Sequence, residues 1–279
     1  MKAKELLYAI GVKPRPRVFP FEIREFTLDG DGVVQFAQWL HPSARRRPTH
    51  LTTAMVAALR GFLRPGDFAI DVGAHGGDST LPIALAVGAS GLVLALEPNP
   101  YAFHVLLANA GLNRRRTNIH AECFAATDTD GEFVFHYSDA GFCNGGLHAG
   151  MSRMRIAHFF DLEVRGRNLA RFLEEQYAAE LPRLRYVKLD TEGNDTAVLE
   201  TLRPVLERCR PHIRTEVYKH ATKEQREAQL RLLEGLGYRL HLLANEETYA
   251  GERIGVGDVM RWDHFDVFAA PDPDVTSDG

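Results

Sequence analysis

Three glycines, Gly73, Gly76 and Gly77, stand between Asp71 and Asp78 in DVGAHGGDST, straight after the apolar run FAI. Glycines so placed let a chain turn sharply from strand into helix and let a ligand approach the backbone. The pattern argues against a polyphosphate. A dinucleotide turn needs G-x-G-x-x-G, and here His75 and Asp78 stand where the second and third glycines belong. The Gly-Lys-Ser/Thr of a P-loop is missing too. Pyrophosphate at a helix N-terminus wants positive surroundings, whereas this turn carries Asp71, Asp78 and, 26 residues after Asp71, Glu97. Carboxylates favour a ligand with cationic centres and hydroxyls. S-adenosylmethionine has a sulfonium, an α-amino group and a ribose diol. Glu97, at the head of EPNP, is suited to accept hydrogen bonds from both ribose hydroxyls.

A second acidic centre lies in YVKLDTEGND (186–195). Asp190 ends a strand, Glu192 follows, Gly193 permits a tight turn, and Asn194 or Asp195 can cap the next helix. Lys188 has the same side-chain parity as Asp190. Methyl transfer to a hydroxyl requires the acceptor oxygen, methyl carbon and sulfur in line, and a base for the proton. A carboxylate serves when burial or a neighbouring carboxylate raises its pKa. The candidates are Asp190, Glu192 and Glu216, with Lys188 beside them. If a divalent Mg²⁺ or Ca²⁺ assists instead, the same three carboxylates are its expected ligands. The metal-free reading is favoured. Tyr218, Lys219 and His220 follow Glu216 toward the acceptor.

These residues must sit at the ends of strands. FAIDVG, GLVLALEP, NIHAECFAA, LRYVKLD and HIRTEVY read as five strands, alternating with helical segments. Ser79 is the expected N-cap of the helix after the glycine turn, and the helix 195–209 is expected to bend or break before Pro204. GEFVFHYS is an extra strand; the glycine-rich segment 138–151, with Asn144 and His148, is a loop suited to close over substrate, and Arg153 and Arg155 beyond it read as solvated charges. YRLHLL and FDVFAAP complete a doubly wound, mostly parallel seven-stranded α/β sheet of Rossmann-like type. Such sheets bind ligands outside the carboxyl ends of their strands. Ahead of this domain (49–270) stands an extension, 1–48, made of a short helix, a β-hairpin around DGDG, and a linker, PSARRRP, whose three arginines read as a solvated run, with contact to an anionic substrate as the alternative. Residues 271–279 read as a disordered tail.

Composition sets the class. The chain has 279 residues, 45% hydrophobic and 25% charged, with a formal charge of −4. We expect no nucleic-acid partner and no membrane span. Three scattered cysteines fit a reducing cytoplasm. The hairpin is expected to serve as a homodimer element or a substrate lid.

FAIDVGAHGGDST, LALEPNP, CFAATDTDG and YVKLDTEGND occur in this order and spacing in a chain that resembles the FkbM-type class I methyltransferases dependent on S-adenosylmethionine, over roughly residues 50–245. The resemblance implies O-methylation of a small molecule or glycan, such as a sugar or natural product. It implies that Asp71, Gly73 and His75 line the methionine end, that Glu97 holds the ribose, and that Phe124 and Ala125 flank the adenine. Ala74, Ser79, Thr80, Pro98, Asn99 and Asp190 complete the expected cofactor shell. His75 stands where the family often has Asn. Two other readings compete: an NAD-type oxidoreductase, disfavoured by His75 and Asp78, and a cofactor-binding module without catalysis, disfavoured by the acids at 190 and 192.

Overall fold

The computed structural model describes residues 15–137, 145–146 and 160–275. The expected N-terminal helix and most of the loop 138–151, with Asn144 and His148, lie outside the described residues, as do Arg153 and Arg155. In chain order the elements are β1 (Phe21–Leu28), β2 (Gly32–Trp39), α1 (Pro42–Arg46), α2 (Thr53–Arg60), β3 (Phe68–Val72), α3 (Thr80–Val87), β4 (Leu92–Leu96), α4 (Pro100–Gly111), β5 (Ile119–Glu122), β6 (Ala125–Thr127) and β7 (Gly131–Tyr137). There follow β8 (Gly145–Gly146), β9 (Phe160–Asn168), α5 (Leu169–Gln176), β10 (Leu184–Leu189), α6 (Asp195–Cys209), β11 (His212–Val217), α7 (Lys223–Gly235), β12 (Tyr238–Leu243), β13 (Ala250–Arg253) and β14 (Phe265–Pro271).

The strands β3 and β4 are apolar at nearly every position and buried throughout, as strands covered on both faces must be. They lie at the centre of a sheet ordered β13-β12-β14-β11-β10-β3-β4-β5. Pairing is parallel from β11 through β5, while β14 runs antiparallel to both β11 and β12. Seven of these strands make the expected doubly wound sheet. The short β13 adds an eighth, antiparallel to β12 at the edge. Chain order reverses on either side of β3, so the crevice above β3 and β10 is the switch point.

NIHAECFAA does not form one strand. It splits into β5, in the main sheet, and β6, which joins a second sheet ordered β6-β9-β7-β8. Within that sheet β9 pairs antiparallel with β7 from Gly131↔Gly166 to Tyr137↔Phe160. It spans residues 160–168, a strand not among those expected from the sequence. Helix α6 also departs from expectation: it runs unbroken through Pro204. Pro204 is exposed, so the carbonyl that loses its helical partner faces water.

The N-terminal hairpin is fastened to the core. Gly30 and Gly32 take φ +82° and +70° at its turn. Leu28, Val34 and Phe36 pack with Leu51, Val56, Leu81 and Leu85, and Trp39 packs with Ala102 and Val105 of α4. Two asparagines one helical turn apart dock the outer edge of β2. Asn109 accepts from the Ala37 N–H at 2.7 Å and donates to the Ala37 carbonyl at 3.1 Å. Asn113 treats Gln35 alike, at 3.0 and 2.7 Å. Segment 42–48, expected as a linker, begins with the single-turn α1. At the other terminus Asp272 and Asp274 hold Arg239, and only 276–279 of the expected tail lie outside the described residues. No helix among the described residues is long and apolar enough to cross a membrane.

Candidate active site

The glycine turn is organised from beneath by a buried ion pair. Asp71 and Lys188 face each other across β3 and β10, with Nζ 3.1 Å from Oδ1. Asp71 is fully buried, and its Oδ2 accepts from the hydroxyls of Ser79 and Thr80 at 2.7 Å each. Lys188 also donates to the carbonyl of Gly73 at 2.9 Å and lies 3.7 Å from Asp190. Burial, the largest influence, works against the Lys188 charge, but Asp71 and Asp190 together outweigh it and raise its pKa. Asp71, Ser79 and Thr80 are bonded to one another, and Ser79, at the N-cap position, makes no cap bond because its hydroxyl goes to Asp71. Lys188 is a positioning residue, enclosed and paired.

Above that pair the turn approaches the second acidic centre. Gly73 has φ +76°, and a Cβ there would overlap the carbonyl oxygen of Asp190. The amides of Gly73 and Ala74 both donate to the Leu96 carbonyl, at 3.0 and 2.9 Å. His75 also takes a left-handed backbone, φ +48°, and turns its ring onto Trp39 at a centroid distance of 5.2 Å. Its Nε2 is buried without a hydrogen-bond partner among the described residues.

Glu97 is 7% exposed at the carboxyl end of β4. One oxygen accepts the Asn99 N–H at 2.8 Å, the other the His75 N–H at 2.9 Å. Burial raises its pKa against these bonds. Each oxygen keeps a second lone pair, so the carboxylate is fixed and still able to take two hydroxyls. That donor requirement is what a ribose diol supplies, and S-adenosylmethionine fits the residues at this point. Asn99 itself caps α4, accepting from the Tyr101 N–H at 2.9 Å, after which Pro100 opens the helix. Pro98 offers its carbonyl to the Cys123 thiol, 3.7 Å away.

Phe124 is turned the other way. Its ring packs edge-on to Phe172 at 4.8 Å, in the main core, with the Arg167 guanidinium over it. Ala125 is likewise buried, in the second sheet's core. The residue exposed at this strand end is Cys123. Burial first, then Glu97 and Glu122, pushes its thiol up to about 11. The sequence reading missed it, although alternation along β5 puts it opposite Phe124. Tyr137 on β7, also missed, lies in the field of Glu97, Cys123 and Glu192; burial raises its hydroxyl first, and those groups add to it.

The second acidic centre is built around Asp195 and Glu216. Asp195, the first residue of α6, is buried and accepts from the Thr191 amide and hydroxyl, the Thr215 hydroxyl at 2.8 Å and the Glu216 N–H at 2.9 Å. It ties the turn after β10 to the end of β11. Glu192 adopts φ +54°, and Gly193, with φ +104°, lies where a Cβ would meet the Tyr218 ring at 2.8 Å. Asp190 is about half exposed, at 47%. Burial, then Asp190, raises the Glu192 pKa. Glu216 is 8% exposed and is pushed up to about 9, first by burial and then by Asp190, Glu192, Asp195 and Asp266.

One oxygen of Glu216 lies 2.7 Å from Nε2 of His264, whose side chain is 53% exposed. His264 immediately precedes β14, and the antiparallel register Val217↔Phe265 brings it to the same sheet edge as Glu216. Among the described residues no three His, Cys, Asp or Glu side chains are arranged to hold a metal ion. Asp190, Glu192 and Glu216 therefore do not form the ligand set allowed from the sequence. Glu216 instead belongs to a carboxyl–imidazole pair that ends in an exposed ring.

A family model described as "Methyltransferase FkbM domain" matches residues 71–240. The chain matches the crystal structure of a methyltransferase FkbM from Methylobacillus flagellatus KT at 14% identity and TM-score 0.44, over 77% of this chain and 51% of that one, so it spans about half that protein's length. It matches an Aeropyrum pernix fibrillarin with natively bound S-adenosyl-L-methionine at 14% identity and TM-score 0.43, over 92% and 95% of the two chains. It matches a SAM-dependent O-methyltransferase from Thermotoga maritima at 15% identity and TM-score 0.41, over 91% and 78%. No curated protein matches.

Proposed function

This chain belongs to the FkbM methyltransferase domain family, and we propose that, with S-adenosylmethionine as donor, it methylates a hydroxyl oxygen on a small-molecule or glycan acceptor, such as a sugar or natural product. The observation that carries this reading is the 2.7 Å contact between Glu216 and His264. A hydroxyl is a poor nucleophile until its proton has somewhere to go. In this reading the acceptor lies over Asp190 and Glu192, and its proton passes to the exposed His264 ring. Glu216 receives the Nε2 proton and holds the ring in orientation.

S-adenosylmethionine, when bound, supplies a methyl group on a sulfonium sulfur that departs neutral. Glu97 takes its ribose hydroxyls, Cys123 and Pro98 border the base, and Gly73, lacking a side chain, lets its turn pack against the Asp190 backbone. Lys188 keeps Asp71 and the turn in register.

The test uses methyl-labelled S-adenosylmethionine with a panel of hydroxylated sugars and natural products, an amine panel and an RNA oligomer. The expected product carries label on oxygen. His264→Ala should lower kcat on the order of 100-fold or more with S-adenosylhomocysteine affinity retained. Label on nitrogen or carbon, or on RNA alone, would overturn the reading.

A further inference from the structure

A cavity of about 400 Å³ opens between the N-terminal hairpin and the glycine turn. Its volume is in the range of small-molecule sites. Phe36, Trp39 and Val105 give it an apolar floor, and Arg46 and Arg47 stand on one side with Thr49. His75, Gly76 and Asp78 of the glycine turn also line it. Most of this lining comes from residues 36–49, outside the matched segment 71–240.

The arginines are held there rather than trailing in a linker. The His41 ring nitrogen accepts from the Ser43 N–H at 3.1 Å, starting α1, and its ring lies 5.0 Å from that of Trp39. At the other end the Thr49 N–H donates to Gln38 at 2.8 Å. Both ends of the arginine run are thus pinned to β2. Elsewhere Arg60, Arg208, Arg214, Arg239 and Arg261 each pair with a carboxylate. Among the described residues no such pair forms at Arg46 or Arg47. Arg46 makes one bond, to the Ser43 hydroxyl at 3.2 Å.

We propose that this cavity is an anion site that binds a phosphate or carboxylate group of the methyl acceptor. The lining holds two guanidiniums and one carboxylate, Asp78, and a guanidinium fork matches the paired oxygens of either anion. The apolar floor accommodates the ring or chain that carries the anion. The lining residues His75 and Gly76 belong to the same turn as Gly73, whose backbone meets Asp190. An acceptor anchored at the arginines reaches across the turn toward Asp190, Glu192 and His264. This assignment rests on the hydroxyl-methylation reading for the acceptor's identity, but its binding test does not need turnover.

Inorganic phosphate is titrated into protein saturated with S-adenosylhomocysteine, with heat as the readout. We expect saturable binding that weakens at least 10-fold in the Arg46→Ala/Arg47→Ala double variant and is kept in Arg45→Ala. All three side chains are exposed, so their loss leaves the core intact. Absence of phosphate binding, or equal binding by the double variant, overturns the site. The cofactor's own carboxylate is the other source of an anion. If the double variant loses affinity for S-adenosylhomocysteine but not for 5′-methylthioadenosine, which lacks the carboxylate, the arginines serve the cofactor and the proposal fails. Normal cofactor affinity with phosphate binding lost supports it, whatever atom the acceptor screen shows to be methylated.

Discussion

The backbone of Asp190 occupies the space where a side chain on Gly73 would be. A Cβ at Gly73 would overlap the Asp190 oxygen and lie 2.9 Å from its carbonyl carbon. The Asp190 N–H, meanwhile, donates to Val72 at 3.1 Å. Two strands 118 positions apart in sequence therefore meet main chain to main chain at the switch point. The glycine turn and the Asp190 turn cannot move independently.

Gly73→Ala should consequently damage both halves of the site. The added methyl meets backbone, which has no rotamer to escape into, and alanine disfavours φ +76°. We expect a stability loss of about 2 to 4 kcal/mol by denaturant unfolding. Weaker S-adenosylhomocysteine binding should accompany it. A loss below about 0.5 kcal/mol would show that the two turns separate easily.

Glu97→Ala removes the carboxylate that we propose accepts from the two ribose hydroxyls. Cofactor affinity should fall by about 1 to 3 kcal/mol, measured by calorimetry. Adenosine, which keeps the ribose, should lose a similar increment. An unchanged affinity would contradict the ribose assignment. The Asn99 and His75 amides also lose their partner, so the fall should accompany altered amide exchange at those two positions.

The Glu216–His264 pair predicts an alkaline rise in turnover. With Glu216 pushed up to about 9, the pair still holds a proton at neutral pH and becomes a competent base as that proton leaves. Asp190, Glu192, Asp195 and Asp266 surround it and hold the proton on. Turnover should climb between about pH 7 and pH 9, and Glu216→Gln should flatten the profile. Stability runs in the opposite direction. The folded carboxyl binds its proton more tightly than the unfolded one, whose ordinary value is 4.5. Its contribution is fully present below that value and is lost as pH rises toward about 9. Glu216→Gln should thus stabilise the protein by about 1 to 3 kcal/mol at pH 8 and leave it unchanged at pH 4, as read by thermal unfolding.

Much of this arrangement is written locally. Strand β3 is apolar before its glycine turn, β4 delivers Glu97, and the parity of Lys188 with Asp190 puts both on one side of β10. The sequence reading failed where the decisive partner is remote. Nothing near Ser79 tells that its hydroxyl serves Asp71 instead of the helix end. Phe124 follows a strand that divides into β5 and β6, and the division turns its ring into the core. His264 reaches Glu216 only through the antiparallel pairing of β14 with β11, a long-range register with no local signature. Strand β9 is a different case, since Phe160, Leu162 and Val164 alternate with charged residues. That period of two was legible, and only the neighbouring helix pattern obscured it.

Asn109 of α4 and Asn113, just past the end of that helix, have a further consequence. A two-stranded ribbon on the outside of a protein offers two rows of open amides and carbonyls, either of which can template another chain. Along β2 that row is filled: Asn109 and Asn113 occupy the N–H and C=O of Ala37 and Gln35, and Arg116 takes the Val33 carbonyl at 2.7 Å. The helix thereby stands in for a third strand and closes the ribbon to edge-to-edge polymerisation on that side. Edge-to-edge association through this ribbon is left to the opposite margin, along β1, where Phe21 and Ile23 are exposed.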